Sequence, residues 1–316
     1  MKDPHPLPLF QEERGEEPYK AGTVALVGRP NAGKSTLMNR LLPEKVAIVS
    51  DKPQTTRQRI VGILSEARGQ IVFYDTPGVH RPQHGMNRRM VKTAQVALTE
   101  ADLVVLLVDV SQKPGSGDAF MREWVGQSAA RKVVVLNKID LVAKPTLLPR
   151  IAAYADGGAF DEIIPVSAAT GDGVERVLAA LWKLLPAGEP IYDPELVTIH
   201  PERFLAAERI REKVLEHTRE ELPFATAVLV DQYEELPQLV RIHASVIVER
   251  DGQKQILIGR GGRQIKAIGT AARRDLEEYL GEKVFLDLNV RVESHWRDNR
   301  RILSDLDRAP FDVTLP

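Results

Sequence analysis

The stretch Gly28-Arg29-Pro30-Asn31-Ala32-Gly33-Lys34-Ser35-Thr36 decides the fold of the first half of the chain. It lies between the apolar run 23–27 and a helical pattern at 37–42, and its spacing is G-x-x-x-x-G-K-[ST]. The backbone N–H groups of such a loop, together with the N-terminus of the following helix, form an anion site. A glycine turn that matches by chance is the alternative, and the strand–loop–helix context disfavours it.

The chemistry of this loop predicts that it binds the phosphates of a nucleotide. Lys34 supplies a mobile positive charge for the β- and γ-phosphates, and the Ser35 hydroxyl can hold Mg²⁺. The residues expected at the phosphates are Asn31, Ala32, Gly33, Lys34, Ser35 and Thr36.

The composition indicates an ordinary globular protein and excludes several classes of site. At 316 residues the chain exceeds the size of one compact core, which predicts two domains. There are no cysteines, which excludes a disulfide framework, a cysteine-ligated zinc site and a thiol nucleophile. The longest apolar runs, such as 103–108, have the length of a core strand, so no membrane-spanning helix is predicted.

Two stretches after the glycine loop provide further ligands for a metal and a phosphate. The polar loop 51–57 holds Thr55 and Thr56, and a threonine there can close onto Mg²⁺ when a γ-phosphate is present. These residues alone do not decide between the two. The apolar run 71–74 ends in Asp75, which is suited to hold Mg²⁺, and Gly78 allows its backbone N–H to approach the γ-phosphate.

Two later strand ends predict that the base is guanine. The carboxylate of Asp140, in Asn-Lys-Ile-Asp at 137–140, can accept hydrogen bonds from N1–H and N2–H₂ of guanine, whereas adenine offers no such pair. Asn137 would brace the loop, and Lys138 would lie along the plane of the base. A backbone N–H in Ser167, Ala168 and Ala169 can donate to the guanine O6.

The order of these motifs predicts an α/β fold for the first domain. Strands alternate with helices from residue 22 to 185, which is typical of a mostly parallel sheet with helices on both faces. Every motif falls at the C-terminal end of a strand, where such sheets bind ligands. The predicted organisation is a flexible tail at 1–20, the nucleotide domain at 21–186, a Pro-rich linker at 187–200 and a second domain at 201–316.

The second domain has a different pattern, which predicts an α+β fold. A helix at 201–221 is followed by strands at 226–230 and 240–249 and a short helix. After the loop 259–262 come a helix at 264–280, a strand at 283–292 and a last helix from about residue 295. The element order is therefore α-β-β-α-α-β. We interpret Trp296 as a packing residue rather than a base-stacking one.

A basic tract within this domain predicts RNA binding. Residues 252–274 carry six lysines and arginines and no acidic residue, and a G-x-x-G turn at 259–262 joins two helices within the tract. A KH domain uses such a turn to clamp about four nucleotides of a single strand. A solvated basic face is the alternative. The residues expected at RNA are Lys254, Ile258, Gly259, Arg260, Gly261, Gly262, Arg263, Lys266 and Arg273.

Taken together, these motifs resemble the Era family of bacterial GTPases. The resemblance rests on Gly-Arg-Pro-Asn-Ala-Gly-Lys-Ser at 28–35, Gln-Thr-Thr-Arg at 54–57, Asp-Thr-Pro-Gly at 75–78, Asn-Lys-Ile-Asp at 137–140, Ser-Ala-Ala at 167–169 and Ile-Gly-Arg-Gly-Gly-Arg-Gln-Ile-Lys at 258–266. It implies a P-loop GTPase domain followed by a type II KH domain. It also implies Mg²⁺-dependent GTP hydrolysis to GDP, and binding near the 3′ end of 16S rRNA during 30S subunit assembly.

The resemblance also implies catalytic roles, and at one position the sequence differs from better-known GTPases. It implies that Thr56 is the switch threonine, acting beside Lys34 and Gly78. In Ras-like enzymes a glutamine that positions the attacking water follows the Asp-x-x-Gly motif, and here that position is Val79. We therefore expect slow intrinsic hydrolysis, with the missing group supplied by a backbone carbonyl, by the RNA-bound state or by K⁺ held through Asn31.

The remaining expectations concern location and competing functions. The resemblance implies a cytoplasmic protein with a weak peripheral contact at the inner face of the membrane, although the sequence shows no anchor; we expect a monomer. His80 and His84 are interpreted as surface side chains rather than catalytic ones. A P-loop kinase would need an acceptor pocket and an arginine-rich lid, and GTPases of tRNA modification carry extra domains and a terminal cysteine; neither pattern is seen here.

Overall fold

The computed structural model describes residues 18–52, 55–79, 85–156, 158–219 and 222–307. Most of the predicted tail, together with Gln54, His80 and His84, lies outside the described residues. The elements of the first domain are β1 Lys20–Gly28, α1 Lys34–Leu41, β2 Ile60–Glu66, β3 Gly69–Asp75, α2 Gly85–Glu100, β4 Leu103–Asp109, α3 Ser116–Gly126, β5 Arg131–Asn137, α4 Leu147–Ala155, β6 Glu162–Pro165 and α5 Val174–Leu184.

The first domain is built on one sheet with the strand order β2-β3-β1-β4-β5-β6. All neighbouring strands are parallel except β2, which is antiparallel to β3. Because both faces are covered, the central strands are continuous apolar runs, as at 103–108. Alternate residues face opposite core layers: Leu26 and Phe73 pack on one side, and Val27 and Val72 on the other. The predicted mostly parallel α/β class is confirmed.

The second domain consists of α6 Glu202–His217, α7 Leu222–Ala225, β7 Ala227–Leu236, β8 Leu239–Val248, α8 Asp251–Ile258, α9 Arg263–Leu280, β9 Lys283–Val292 and α10 Arg300–Asp307. Strand β8 pairs antiparallel with β7 and parallel with β9. Helices α6 and α9 cover one face of this sheet through residues such as Ile210, Val214 and Ile268. The predicted α-β-β-α-α-β order of a KH domain is confirmed.

Three boundaries in the second domain differ from the sequence-based prediction, and one of them is the start of the last helix, which is Arg300 rather than about residue 295. Strand β7 runs to Leu236 rather than to residue 230, because it is an edge strand whose polar residues face solvent after an irregularity between Val230 and Gln232. Helix α6 ends at His217 rather than at residue 221. The backbone of Thr218 is extended, and its hydroxyl donates to the carbonyl of an earlier turn, so the helix stops there.

The segment between the two domains covers the exposed edge of β2. The backbone N–H of Ile63 donates to the carbonyl of Val197 at 2.7 Å, and the Thr198 hydroxyl donates to the carbonyl of Val61 at 2.6 Å. His200 accepts the Val61 N–H at Nε2, at 2.9 Å. An uncovered edge strand would present unpaired backbone groups, which this segment satisfies. The domain limits given above stay a prediction.

In the part of the chain that the structure describes, no helix combines the length and the apolar character that crossing a membrane requires.

Candidate nucleotide and nucleic-acid sites

The glycine loop is held in a conformation that opens towards a ligand. Gly33 has a φ of 96°, and α1 begins at the next residue, Lys34. A Cβ at this glycine would collide with the side-chain amide of Asn137, so the loop needs glycine there. Asn31 adopts a left-handed φ of 61°, and its amide donates to the backbone carbonyl of Asp51 at 2.7 Å. The loop therefore contacts the loop that precedes β2.

Three oxygen-bearing side chains meet beside this loop. The Ser35 hydroxyl lies 2.5 Å from Oδ2 of Asp75, and the Thr56 hydroxyl lies 2.9 Å from Ser35 Oγ and 3.2 Å from Asp75 Oδ2. The hydroxyl of Thr55 instead donates to the carbonyl of Lys52, at 2.6 Å. The structure thus brings Thr56, and not Thr55, into the cluster.

The electrostatics of this cluster suit a divalent cation. Asp75 is fully buried, and its Oδ1 has no hydrogen-bond partner among the described residues. Burial raises the pKa of Asp75, with the charge of Lys34 acting in the opposite direction. Burial lowers the pKa of Lys34, and Asp75 opposes that shift. Hydroxyl and carboxylate oxygens are the ligands that Mg²⁺ prefers, and a cation here would satisfy the orphaned oxygen of Asp75.

Gly78 lies against the glycine loop, whereas Val79 points away from it. A Cβ at Gly78 would stand 2.6 Å from the Cα of Pro30, so only glycine permits this approach. The N–H of Val79 donates to the carbonyl of Gly28 at 3.2 Å. The side chain of Val79 is buried in the core between the sheet and its helices. It cannot orient a water molecule, because it lacks a polar group and faces the core.

The base-recognition motifs are tied to the glycine loop through Asn137. Its amide donates to the carbonyl of Ala32 at 2.8 Å, and its amide oxygen accepts the N–H of Ala168 at 2.9 Å. Lys138 forms an ion pair of 2.7 Å with Asp109. The carbonyls of Ala168 and Ala169 accept hydrogen bonds from the guanidinium of Arg40. The side chains of Ser167 and Ala168 are buried, and that of Asp140 is exposed.

The glycine loop, the loop before β2, Gly78 and Lys138 line one cavity of about 310 Å³. Of the residues predicted to contact the base, Lys138 lines this cavity, whereas Asp140 and the stretch 167–169 are not among its lining residues. The walls are formed by Asn31, Gly33, Lys34, Ser35 and Thr36 on one side, and by Val49, Ser50, Asp51, Thr55, Thr56 and Gly78 on the other.

The G-x-x-G turn of the second domain is open to solvent. Gly259, Gly261 and Gly262 have φ values of 69°, 63° and 73°, which only glycine adopts without strain. Among the described residues other than their chain neighbours, no heavy atom lies within 4 Å of the position of a Cβ at Gly261 or Gly262, so the turn leaves room for a ligand backbone. Beside it, Ile256 is 56% exposed.

The predicted RNA-binding side chains lie in this turn and on helices α8 and α9, which flank it. Arg260, Arg263, Lys266 and Arg273 are exposed, and Lys254 and Ile258 are half-buried. Arg273 lies 3.4 Å from Glu277, so part of its charge is already balanced. The others form an open basic face.

A family model described as a 50S ribosome-binding GTPase matches residues 23–138, and a KH domain model matches residues 221–297. The GTPase Era of Geobacter metallireducens is 49% identical over 92% of this chain and 98% of its own length. The chain belongs to the Era family of GTPases. It is therefore an enzyme that hydrolyses GTP. The Era of Leuconostoc citreum is 46% identical over 92% of the chain and 97% of its own length.

Two solved Era structures share the fold of most of this chain. A variant of Aquifex aeolicus Era bound to GDP and AlF4⁻ superposes with a TM-score of 0.88 at 36% identity, covering 92% of this chain and 99% of its own. An Era structure in complex with MgGDPNP and nucleotides 1506–1542 of 16S ribosomal RNA has a TM-score of 0.89, with the same identity and coverage.

Sequence reasoning missed the residues that join the two domains. Arg57 donates to the carbonyls of Pro223 and Thr226 in the KH domain, and its guanidinium lies over the ring of Trp296. Met86 of α2 packs in the same cluster as Trp296. Arg57 belongs to the Gln-Thr-Thr-Arg motif at 54–57. No local pattern predicts its contacts, because its partners are far away in the sequence.

Proposed function

We propose that this GTPase is a switch that binds 16S rRNA near its 3′ end and acts in assembly of the 30S subunit. The observation that carries the proposal is the open G-x-x-G turn with its basic face, joined in one chain to a GTPase site. The Era relative bound to MgGDPNP and nucleotides 1506–1542 of 16S rRNA supports it. We further propose that the protein works in the cytoplasm as a monomer and that its contact with the membrane is weak and peripheral.

The cluster of Ser35, Thr56 and Asp75 would hold the Mg²⁺ of the nucleotide. When bound, the ion neutralises charge on the β- and γ-phosphate oxygens. Lys34 and the backbone N–H groups of the glycine loop bind the same phosphates, and the N–H of Gly78 approaches the γ-phosphate. Thr56 would link the loop before β2 to that phosphate, because its hydroxyl would bind the Mg²⁺ that the γ-phosphate helps to hold.

At the base, Asp140 selects guanine. Its exposed carboxylate can accept the N1–H and N2–H₂ donors of guanine, and a base that lacks them leaves the carboxylate unpaired. Lys138 covers one face of the base, and Ser167, Ala168 and Ala169 provide the backbone N–H for O6.

The group that orients the attacking water is not a side chain at position 79. The side-chain N–H of Asn31 donates to the carbonyl of Asp51, so the Asn31 amide, with its own oxygen, and the Asp51 carbonyl oxygen both lie beside the phosphate site. Such oxygens can replace the hydration shell of K⁺. We propose a K⁺ site at Asn31 that assists hydrolysis. Equal rates in sodium chloride and potassium chloride at matched ionic strength would contradict it.

The KH domain would clamp single-stranded RNA at the G-x-x-G turn. Arg260, Arg263, Lys254, Lys266 and Arg273 neutralise phosphates, and Ile258 with its apolar neighbours contacts the bases. Binding of RNA and of GTP would favour the same state, with a coupling free energy of about 1–3 kcal/mol.

The test measures GTP hydrolysis with and without a short single-stranded RNA that matches the 3′ end of 16S rRNA. We expect the RNA to accelerate hydrolysis, and the double variant R260E/R263E to lose both RNA binding and the acceleration. RNA that binds without changing the rate would make the KH domain a tether only. RNA that does not bind would refute the proposed partner and leave the GTPase assignment intact.

A further inference from the structure

Helix α6 of the KH domain holds the loop that carries Thr56. The carboxylate of Glu212 accepts the backbone N–H of Val49 at 2.8 Å and the ammonium of Lys45 at 2.6 Å. The adjacent Arg211 donates to the backbone carbonyl of Thr55 at 2.5 Å. Two neighbouring side chains of one helix therefore bind this loop on both sides of its residues 50–54. We call residues 45–59, between α1 and β2, the switch loop.

The switch loop is also anchored just after Thr56. Arg57 donates to the carbonyls of Thr226 and Pro223, at 2.5 Å and 2.9 Å. On one side of Thr56, the carbonyl of Thr55 is bound by Arg211 of the KH domain. On the other side, the side chain of Arg57 binds carbonyls of that domain. A residue held on both sides has little conformational freedom, so these contacts decide where its hydroxyl lies.

The stability of the KH domain alone does not account for a buried arginine at position 211. It is 2% exposed, and within its own helix it pairs with Glu208. Its Nη1 is buried without a hydrogen-bond partner among the described residues. A buried guanidinium that is incompletely bonded costs stability, and an apolar residue of similar size would avoid that cost. The contact that this arginine gains in return is the one with the carbonyl of Thr55.

We propose that Arg211 is a positioning residue for GTP hydrolysis, which holds Thr56 beside Ser35 and Asp75 from the other domain. The proposal rests on the proposed role of Thr56 as a Mg²⁺ ligand and deepens it. The nucleotide site of the first domain is then complete only when the KH domain is docked on the switch loop. Catalytic constellations tolerate displacements of only about 0.5 Å, so release of the Thr55 carbonyl is sufficient to impair the site.

The experiment compares Arg211→Gln with Arg203→Gln in the full-length chain. Arg203 lies on the same helix, and its guanidinium also donates to backbone carbonyls, those of Val230 and Asp231. Both carbonyls belong to the KH domain, so the control removes a similar contact that does not reach the switch loop. Arg211→Lys keeps the charge and one donor for the Thr55 carbonyl.

For Arg211→Gln we expect kcat to fall about ten-fold and half-maximal hydrolysis to require more Mg²⁺. Affinity for GDP should stay within about two-fold, because the glycine loop and the base site are unchanged. Amide hydrogen exchange across residues 46–52 should become faster, independently of any bound metal. Arg203→Gln should match the parent in all four measurements, and Arg211→Lys should fall between them.

The proposal is overturned if Arg211→Gln retains the parental kcat, Mg²⁺ dependence and exchange. It is also overturned if Arg203→Gln loses as much, because the effect then reflects general loosening of α6. Thr56→Ala serves as the reference. If it leaves the Mg²⁺ dependence unchanged, the proposed role of Thr56 as a Mg²⁺ ligand is wrong, and the proposal for Arg211 falls with it. If Thr56→Ala changes that dependence and Arg211→Gln does not, only the positioning by Arg211 fails. If Arg211→Gln does not fold, Arg211→Lys decides by the same measurements.

Discussion

The guanidinium of Arg57 lies over Trp296, with its central carbon 5.6 Å from the centre of the ring. Burial, and then the charge of Arg211, lower the pKa of Arg57 to about 9, so the group stays positive at neutral pH. Trp296 is fully buried, and its Nε1 donates to the carbonyl of Ala225 at 2.9 Å. Since Arg57 also binds carbonyls of the segment 223–226, the last part of the switch loop is bound to a mostly buried part of the KH domain.

The first prediction concerns Trp296. Trp296→Ala should lower the free energy of unfolding by about 3–5 kcal/mol, because it leaves a cavity in a packed cluster and deprives the Ala225 carbonyl of its donor. The cluster includes Met86, Met90 and Leu303, so the loss affects the contact between the domains as well as the KH core. Urea denaturation of the full-length chain, followed by far-UV circular dichroism, measures the change.

Trp124→Ala is the matched control. Trp124 stacks on Phe120 with 6.4 Å between ring centres, and Phe120 is 51% exposed at the surface of α3. Removal of a half-exposed ring should cost about 1 kcal/mol. If the two variants lose a similar free energy of unfolding, Trp296 does not stabilise the contact between the domains in the way described.

The second prediction separates the two adjacent threonines of the switch loop. Thr56→Ala should lower kcat at limiting Mg²⁺ by about 10–100-fold, because its hydroxyl belongs to the cluster with Ser35 and Asp75. Thr55→Ala should change kcat by less than about three-fold, since its hydroxyl only closes a turn onto the carbonyl of Lys52. Magnesium titrations of single-turnover hydrolysis give both values, and equal losses would show that the cluster does not distinguish the two residues.

This pair of threonines shows what the residue pattern alone could not predict, since only the resemblance to the Era family implied Thr56. The glycine loop, Asp75 and Asn137 lie in contiguous motifs at the ends of apolar strands, and parallel topology brings those ends together. Thr55 and Thr56 lie in a polar loop that has no periodicity. Their positions are set by Arg211 of the KH domain, which binds the carbonyl of Thr55, and by Arg57, which binds carbonyls of the KH domain. No local rule connects residues so distant in sequence.

The contact between the domains could not be predicted from the sequence for a related reason. Glu208, Arg211 and Glu212 are charged residues on a helix, and such residues ordinarily indicate a solvated face. Here Glu212 and Arg211 are each 2% exposed, because the switch loop covers them. The packing role of Trp296, in contrast, was predicted correctly, since a tryptophan near the end of an apolar strand seldom lacks a core to enter.

The third prediction concerns selection of the base. Asp140→Asn should weaken binding of GDP by about 10–100-fold, because the amide presents one acceptor and clashes with a guanine donor. It should strengthen binding of xanthosine diphosphate, whose 2-oxo group accepts a hydrogen bond from the new amide. Isothermal titration with both nucleotides measures the two affinities. Asp172→Asn, an exposed carboxylate that follows the Ser-Ala-Ala motif, is the control and should leave both unchanged. Unaltered preference in Asp140→Asn would mean that another group reads the base.

The fourth prediction follows from His200, whose Nε2 accepts the N–H of Val61 at the edge of β2. Burial, and then the charge of Arg59, lower the pKa of His200 to about 4. The folded state therefore prefers the neutral ring. Its contribution is complete above the unfolded pKa of about 6.5 and is lost as the pH falls towards 4, at a cost on the order of 3 kcal/mol. His200→Gln keeps an acceptor that does not titrate, so its melting temperature should fall less between pH 6.5 and pH 4.5. An equal fall in melting temperature for both chains over that range would contradict a link between protonation of His200 and unfolding, since the two chains share every other titrating group.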